Sequence, residues 1–253
     1  MKDMIQRHLK CEKNKVNHFV LLPGDIERAK HISSHFFNSS IKISENREFH
    51  IYNGIYQNKP VAVCSTGIGC MSASVAIEEL VNCGCQYFIR VGTCGALSPK
   101  VNIGDIIIVS GAVRGDGASK EYIPLAYPAV ADHTMVNILK KEAEKKNIRY
   151  HAGIIRTHDA FYMESPFAFG DWKKRTKIWT ETGVLGVENE ASTLFVIGSL
   201  RKVKVGAVLV AVGHLLNRKK LRKENLQNSM DKAIIIACKT LVELQINKET
   251  YNG

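Results

Sequence analysis

The strongest constraint on the fold is the alternation of short β-branched runs with amphipathic helical runs along the 253-residue chain. Strand-like and helix-like runs follow one another at 18–24, 25–37, 49–67, 72–84, 86–97, 104–113, 132–147, 150–161, 190–202, 203–213 and 226–246. This order is typical of an α/β fold in which helices cover both faces of a parallel or mixed sheet. No repeat, linker or low-complexity segment interrupts it. We therefore predict one domain over residues 1–253.

Two local predictions follow from this pattern. Residues 49–67 read as a β-hairpin with Asn53-Gly54 as its turn, because Asn-Gly favours two-residue hairpin turns. Ligands of α/β sheets bind beyond the carboxyl ends of the strands, so the connections after those ends are the first places to look for a site. These connections follow Leu22, Ser65, Val91, Phe161 and Val212.

The chain is basic, with a net charge of +11 and a sequence pI near 9.3. Such a charge admits a nucleic acid, a membrane surface or a small anion as partner. The densest basic clusters, at 140–146, 173–175 and 218–224, are separated in sequence and typical of solvated helix faces and loops. None has the interleaved aromatic residues of a nucleic-acid-binding module, so a nucleic-acid partner is not predicted.

Cysteine use indicates a reducing compartment. The seven cysteines form no CxxC motif, and most lie in apolar runs, which predicts buried thiols in a cytoplasmic protein. Cys83 and Cys85 have no histidine cluster beside them, so no metal site is expected. The first fifteen residues are too polar for a signal peptide, and no apolar run reaches the roughly 18 residues of a membrane span.

Two glycine-containing connections are suited to binding an anion or a sugar. In "PGDIER" (23–28), Gly24 stands where a strand passes into a helix, whose first N–H groups can hold an anion, and Arg28 follows one turn later. In "STGIGCMS" (65–72), two glycines precede a helix and allow close approach of the backbone. The second motif lacks the Lys-Ser/Thr of a Walker A loop. Ordinary tight turns are the alternative for both.

Charged residues in apolar surroundings mark two further segments. Arg90 stands inside the apolar strand of "IRVGTCG" (89–95), and a buried guanidinium needs an anionic partner. That partner is either a bound anion, to which Thr93 could also donate, or a carboxylate of the protein itself. In "VENEAS" (187–192), Glu188 and Glu190 flank Asn189. They could cap a helix or accept hydrogen bonds from a polyol.

Taken in order, seven motifs resemble those of the nucleoside phosphorylase family, most closely its uridine phosphorylase branch. The resemblance covers about residues 8 to 218. The motifs are "PGDIER", "REF" (47–49), "VCSTGIG" (63–69), "IRVGTCGAL" (89–97), "VRGDGAS…PLAYPAVAD" (113–132), "DAFY" (159–162) and "VENEAS". The resemblance implies a single α/β domain around a mixed, barrel-like sheet. It also implies homo-hexamers built from dimers, in which each active site borrows residues from its neighbour.

The same resemblance implies an enzyme that cleaves the N-glycosidic bond of a nucleoside with phosphate, giving a free base and ribose 1-phosphate. Phosphate is then a co-substrate, and no organic cofactor is expected. A glycosidic bond breaks through an oxocarbenium-like transition state, so phosphate must be held beside the anomeric carbon. Glu48 matches a carboxylate that helps hold a monovalent cation such as K⁺ at the dimer interface in some relatives. A surface salt bridge is the alternative for Glu48.

By resemblance, residues of this chain fall into four groups. The phosphate group is Gly24, Arg28, Arg47, Arg90 and Thr93, with Arg47 supplied by the partner subunit. The ribose group is His8, Thr93, Glu188, Asn189 and Glu190. In it, His8 of the partner contacts the 5′-hydroxyl, and Glu190 accepts from the 2′- and 3′-hydroxyls. The base group is Gly95, Phe161 and His214. The catalytic group is Arg90, Glu190 and Arg218. A solvated His8 and a core-packed Phe161 are the alternatives.

Three departures from the family pattern leave the base open. Gly213 and His214 stand where the purine branch has a Ser-Asp pair, and Ser165 and Phe167 stand where the uridine branch reads uracil with Gln-x-Arg. The third departure is Asn189, where relatives usually have Met. We predict uridine as the favoured nucleoside, with purine nucleosides as the alternative. A hydrolytic nucleosidase and a non-catalytic nucleoside-binding protein are further alternatives, and the predicted arginine cluster disfavours hydrolysis.

Overall fold

A computed structural model describes residues 5–162, 165–215 and 222–251 of the chain. Its strands are β1 (Phe19–Leu22), β2 (Asn38–Asn46), β3 (Phe49–Tyr56), β4 (Lys59–Cys64), β5 (Tyr87–Ala96), β6 (Ile106–Gly115), β7 (Ala129–Val130), β8 (Tyr150–His158), β9 (Gly186–Glu188) and β10 (Lys204–His214). Its helices are α1 (Ile26–His35), α2 (Cys70–Asn82), α3 (Ala118–Tyr122), α4 (His133–Lys145), α5 (Trp172–Glu181), α6 (Ala191–Leu200) and α7 (Lys223–Tyr251).

Five strands close a barrel. Neighbours around it pair in the order β5, β9, β8, β6 and β10, and β10 returns to pair with β5 in parallel. From β5 the sheet continues through β1, β4, β3 and β2. Parallel and antiparallel pairs both occur, as in β1 with β4 and β3 with β4. The predicted single α/β domain with a mixed, barrel-like sheet is confirmed.

Apolar packing covers both faces of this sheet. One buried cluster joins the strands to α2 and α6, with Leu80 and Leu194 among its members. The other joins them to α1, α4 and α7, with Ile32 and Leu139 among its members. Burial of such side chains drives the strands and helices together. Across the three described ranges, no helix is both long enough and apolar enough to cross a bilayer.

The hairpin predicted at residues 49–67 exists, but its predicted turn was wrong. Asn53 and Gly54 lie within β3, and Gln57-Asn58 connects β3 to β4. Both turn residues have positive φ, 47° and 62°, as a type I′ turn requires. Gly54 is needed for another reason: a Cβ there would lie 2.6 Å from the Cβ of Phe37. Tertiary packing, rather than turn chemistry, accounts for this glycine.

Candidate active site

The candidate site lies where β5 changes its neighbour. The first half of β5 pairs with β1, with Leu22 opposite Arg90, and its end pairs with β9, with Val187 opposite Gly95. The two neighbouring strands therefore part beside the middle of β5. The connection after β4 contacts the connections after both β1 and β9, through hydrogen bonds to the Pro23 carbonyl and the Glu190 carboxylate. Sheets of this class bind ligands at openings of this kind.

A buried ion-pair cluster occupies the opening. Arg90 is 4% exposed, and its Nε donates to Glu188 Oε2 at 2.9 Å. Its Nη2 pairs with Glu190 Oε2. Burial opposes the charge on Arg90, but the attraction of Glu190 and Glu188 outweighs it and raises the pKa of Arg90. The structure thus pairs this arginine with carboxylates of the protein, and its predicted contact with phosphate stays a prediction.

Glu188 positions both Arg90 and the start of α6. Its carboxylate accepts hydrogen bonds from the backbone N–H groups of Glu190 and Ala191, at 2.9 and 3.0 Å, which caps the helix. Its Oε1 also accepts from Thr157 Oγ1 at 2.5 Å. Burial raises the pKa of Glu188, while the charge of Arg90 acts to lower it. These contacts give Glu188 an internal role, and its predicted contact with ribose stays a prediction.

Glu190 joins α6 to the glycine loop before α2. Its Oε1 accepts the backbone N–H of Gly69 at 2.7 Å, while Oε2 pairs with Arg90. Gly69 precedes α2 with φ of 92°, a left-handed conformation that disfavours other residues. The two motifs "STGIG" and "VENE", which are far apart in sequence, are therefore in contact. The Glu190 carboxylate is therefore held against the glycine loop that precedes α2.

Arg28 and Gly24 border the same cluster. The Arg28 Nη1 donates to the carbonyl of Val91 at 3.3 Å, one residue after Arg90. Burial lowers the pKa of Arg28; the positive charge of Arg90 adds to this lowering, and Asp25 opposes it. Gly24 lies against the glycine loop, because a Cβ there would stand 3.1 Å from the carbonyl oxygen of Gly67. Arg28 thus lies close to Arg90, and the predicted phosphate contacts of Gly24 and Arg28 stay predictions.

Gly92 and Thr93 follow Arg90 on β5. A Cβ at Gly92 would lie 2.9 Å from Arg90 Cζ, so a side chain there would displace the guanidinium. Thr93 is half-buried and lies opposite Val210 of β10. Its predicted contacts with phosphate and ribose stay predictions.

A third buried carboxylate, Asp116, supports this site and was missed in the sequence. Asp116 is fully buried and accepts from the Ser119 backbone N–H at 2.6 Å and from Thr193 Oγ1 at 3.0 Å. It also bonds to the hydroxyls of Ser119 and Ser192. Burial opposes its charge, but the hydrogen bonds lower the pKa of Asp116. Asp116 thus holds the first turn of α6. The motif "VRGDGAS" gave the only sequence signal for Asp116.

Asn189, which lies between the two glutamates, is hydrogen-bonded to His158 at the end of β8. The Asn189 side-chain amide donates to the backbone carbonyl of His158. The side chain also has a second N–H and a carbonyl oxygen that can form hydrogen bonds. His158 is 7% exposed at the end of β8. Burial, with a smaller contribution from the charge of Arg156, lowers the pKa of His158 to about 4. His158 is therefore neutral in the folded protein at neutral pH.

We expect His158 to make folding sensitive to acid. Its ordinary pKa is 6.5, so below that pH the unfolded chain takes up a proton that the folded chain refuses until about pH 4. This group's stabilisation, about 3 kcal/mol at neutral pH, is lost between those values. Urea denaturation at pH 7 and pH 4 measures it. The His158→Gln variant should lose about 3 kcal/mol less than the wild type, and parallel losses would contradict the assignment.

His8 and Arg47, the two residues predicted to serve a partner subunit, line one surface cleft. The cleft has a volume of about 410 Å³, and its other lining residues are Arg7, Lys10 and Asn46. His8 Nδ1 lies 2.7 Å from Glu79 Oε1, and its backbone N–H also bonds to that carboxylate. Arg28, Arg90 and Glu190 do not line this cleft. Within one chain, the structure thus places these two residues on one surface cleft that the residues of the ion-pair cluster do not line.

The remaining predicted residues have mixed positions. Phe161 is 63% exposed and makes an edge contact with Tyr162, so the alternative of core packing was wrong. Gly95 lies opposite Gly213 on β10, and His214 follows it, so two predicted base-site residues are adjacent. Glu48 accepts from Ser72 Oγ at 2.9 Å. Arg218 lies outside the described residues.

Comparisons of sequence and of structure with known proteins all match this chain to phosphorylases. A family model described as "Phosphorylase superfamily" matches residues 18–244. The chain is 36% identical over 247 residues to a uridine phosphorylase of Treponema pallidum, covering 96% of this chain and 95% of that one. It is also 36% identical over 211 residues to a guanosine phosphorylase of Halorubrum lacusprofundi, covering 83% and 84%. The crystal structure of a Vibrio fischeri uridine phosphorylase superposes with a TM-score of 0.84 at 32% identity, covering 94% and 97%.

Proposed function

Because this chain belongs to the phosphorylase superfamily, we propose that it is a nucleoside phosphorylase that acts on ribonucleosides, with uridine favoured. It cleaves the N-glycosidic bond with inorganic phosphate and releases the free base and ribose 1-phosphate. Relatives named uridine phosphorylase match most of the chain, in sequence and in structure. The observation that carries the proposal is the buried cluster of Arg90, Glu188 and Glu190 beside Arg28.

The charge balance of this cluster suits an anionic nucleophile. Two carboxylates hold Arg90, whereas burial disfavours the charge on Arg28 and so makes an anion beside it favourable. Phosphate would accept hydrogen bonds from Arg28, Arg90 and Thr93 and from the backbone near Gly24. Neutral water would not compensate the buried charge of Arg28, whereas Arg90 already has its two carboxylate partners. This argument supports phosphorolysis over hydrolysis.

Glu190 supplies the sugar-binding group in this proposal. Its Oε1 already accepts from Gly69, so the carboxylate has a fixed orientation before substrate arrives. A carboxylate that accepts from the 2′- and 3′-hydroxyls holds the ribose while positive charge develops at the anomeric carbon. The phosphate on Arg28 and Arg90 then attacks a carbon held in place. Arg218 is proposed to stabilise negative charge on the departing base, as the resemblance implies.

The base pocket is the least constrained part of the site. Gly95 and His214 lie on adjacent strands, and the exposed aromatic ring of Phe161 is available to stack on a base. The uracil-reading pair of the uridine branch is replaced by Ser165 and Phe167, and Phe167 is 96% exposed. The guanosine phosphorylase relative favours purine nucleosides as the second candidate. A non-catalytic nucleoside-binding protein is the remaining alternative.

We also propose that the enzyme is a cytoplasmic homo-oligomer built from dimers and forming a hexamer. The shared cleft of His8 and Arg47 supports this, because it places both residues where one neighbour could receive them together. The seven cysteines are buried free thiols, as suits a reducing compartment. The proposal includes no organic cofactor and, at the dimer interface, a K⁺ site that involves Glu48.

Base release measured with and without phosphate tests the function. The purified protein is incubated separately with uridine, thymidine, inosine, guanosine and adenosine, and the free base is quantified. We expect release that depends on phosphate and is fastest for uridine. Faster release from inosine or guanosine would assign the enzyme to purines. Release that needs no phosphate would indicate a hydrolase, and binding without release would indicate a nucleoside-binding protein.

A further inference from the structure

Two buried cysteines meet away from the candidate active site. The sulfur atoms of Cys11 and Cys83 lie 2.9 Å apart, although the residues are 72 positions apart in sequence. Cys11 belongs to the N-terminal segment, residues 5–17, and Cys83 ends helix α2. The backbone N–H of Asn14 donates to the carbonyl of Cys83 at 2.8 Å. The two parts of the chain are therefore held together around the thiols.

We propose that Cys11 and Cys83 form a reversible disulfide that fastens the N-terminal segment to α2, with hydrogen peroxide as the oxidant. A disulfide has a sulfur–sulfur bond of about 2.05 Å, so the sulfurs need to approach by about 0.9 Å. Cys64 and Cys85 are close enough to influence the charge of Cys11, but the sulfur contact is between Cys11 and Cys83. The geometry thus selects one pair among four neighbouring thiols. The proposal does not depend on the proposed function.

The contact also assigns different roles to the two sulfurs. With Cys11 as its donor, the hydrogen bond between the two thiols lowers the pKa of Cys83, although burial acts in the opposite direction. The same hydrogen bond, together with burial, raises the pKa of Cys11. Because the thiolate is the reactive form of cysteine, Cys83 is the attacking group and Cys11 the resolving one.

The reaction consumes one peroxide for each disulfide. The Cys83 thiolate attacks one peroxide oxygen, an S–O bond forms as the O–O bond breaks, and the released hydroxide leaves as water with the thiol proton. Cys11 then attacks the sulfenic sulfur of Cys83. An S–S bond forms, the S–O bond breaks, and the departing hydroxide takes the Cys11 proton to give a second water. Two thiols lose two electrons, and peroxide is reduced to two water molecules.

Access to the buried pair is provided by the N-terminal segment. Residues 5–17 contain neither helix nor strand, and segments of this kind open locally more easily than core elements. The segment is held to α2 by Glu79, whose carboxylate accepts from the backbone N–H groups of His8 and Leu9. A disulfide would add a covalent connection next to these bonds. It would thereby restrict the segment that carries His8.

Thiol counting and peptide mapping test the proposal on the wild-type protein. All seven cysteines should react with a thiol reagent in denaturant before treatment, and five after treatment with one equivalent of hydrogen peroxide. Mass spectrometry should find one linked peptide pair, containing Cys11 and Cys83, that dithiothreitol separates. We expect the oxidised protein to melt about 5 °C or more higher, because the bond closes a long loop. Amide exchange in residues 6–14 should also slow.

Single substitutions provide the controls. The Cys83→Ser variant should keep its six thiols after the same treatment. The Cys238→Ser variant, altered at a buried cysteine in α7, should fall from six to four. A different linked pair, oxidation of Cys83 to sulfinic acid, or seven unchanged thiols in the wild type would overturn the proposal. The wild-type measurements decide the matter even if a variant fails to fold.

Discussion

The Arg90→Ala variant is expected to lose about a thousandfold or more in phosphate-dependent kcat/KM for uridine. Arg90 is the residue that both carboxylates hold, and Arg28 lies beside it. Removing a preorganised charged donor from such a site typically costs two to three orders of magnitude, and the loss of charge facing phosphate adds to this. The rate of uracil release at several phosphate concentrations measures the effect.

The same substitution should also destabilise the protein by about 3–5 kcal/mol, since it leaves two buried carboxylates without their partner. Urea denaturation separates this loss from the catalytic one. Arg90→Lys serves as the charge-preserving comparison and should remain impaired, because an ammonium cannot bridge two carboxylates as a guanidinium does. Arg149→Ala is the matched control, since Arg149 is an exposed arginine that pairs with Asp105, and it should stay near wild type. A folded Arg90→Ala enzyme with normal turnover would show that phosphate binds elsewhere.

The second large effect is expected at Glu190. Glu190→Gln should lower kcat/KM for uridine about 100-fold, because an amide oxygen is a weaker acceptor for the two ribose hydroxyls than a carboxylate. The loss should be much smaller for 2′-deoxyuridine, which lacks one of those hydroxyls. Comparing both substrates in both enzymes isolates the contact with the 2′-hydroxyl. Equal losses for the two nucleosides would rule out the contact of Glu190 with the 2′-hydroxyl.

Glu188→Gln is the matched comparison for Glu190→Gln, because it makes the same chemical change two residues earlier. The Glu188 carboxylate caps α6 and holds Arg90. An amide NH₂ there would face donors instead of accepting from them. We expect a loss of about 2–4 kcal/mol in unfolding free energy and little change in the preference for uridine over 2′-deoxyuridine. The two glutamates of "VENE" should thus separate into a ligand-binding residue and a positioning residue.

The sequence was informative where residue chemistry is unusual for its surroundings. An arginine inside an apolar strand required an anion, and Arg90 does have carboxylate partners. Those partners could not be chosen from the residues alone, because Glu188 lies 98 positions away and only the pairing of β9 with β5 brings it close. The helix-capping alternative for "VENE" proved to apply to Glu188.

Other features depend on tertiary contacts that local patterns do not encode. Asn53-Gly54 has the preferred hairpin composition, but Phe37 packs against Gly54 and the turn forms at Gln57-Asn58. Asp116 lies in the motif "VRGDGAS", but the motif does not reveal that hydroxyls from α3 and α6 converge on it. Ordinary-looking serines and threonines thus become part of the site only after folding. Residue spacing could not have predicted this network.

Transfer of phosphate to the sugar is the central claim, and phosphorus NMR tests it most directly. The enzyme is incubated with uridine and inorganic phosphate, and the spectrum is followed while uracil is released. Phosphorolysis predicts a new phosphate-ester signal, split by the anomeric proton of ribose 1-phosphate, that grows in proportion to uracil. Release of uracil with inorganic phosphate as the only phosphorus signal would contradict the account.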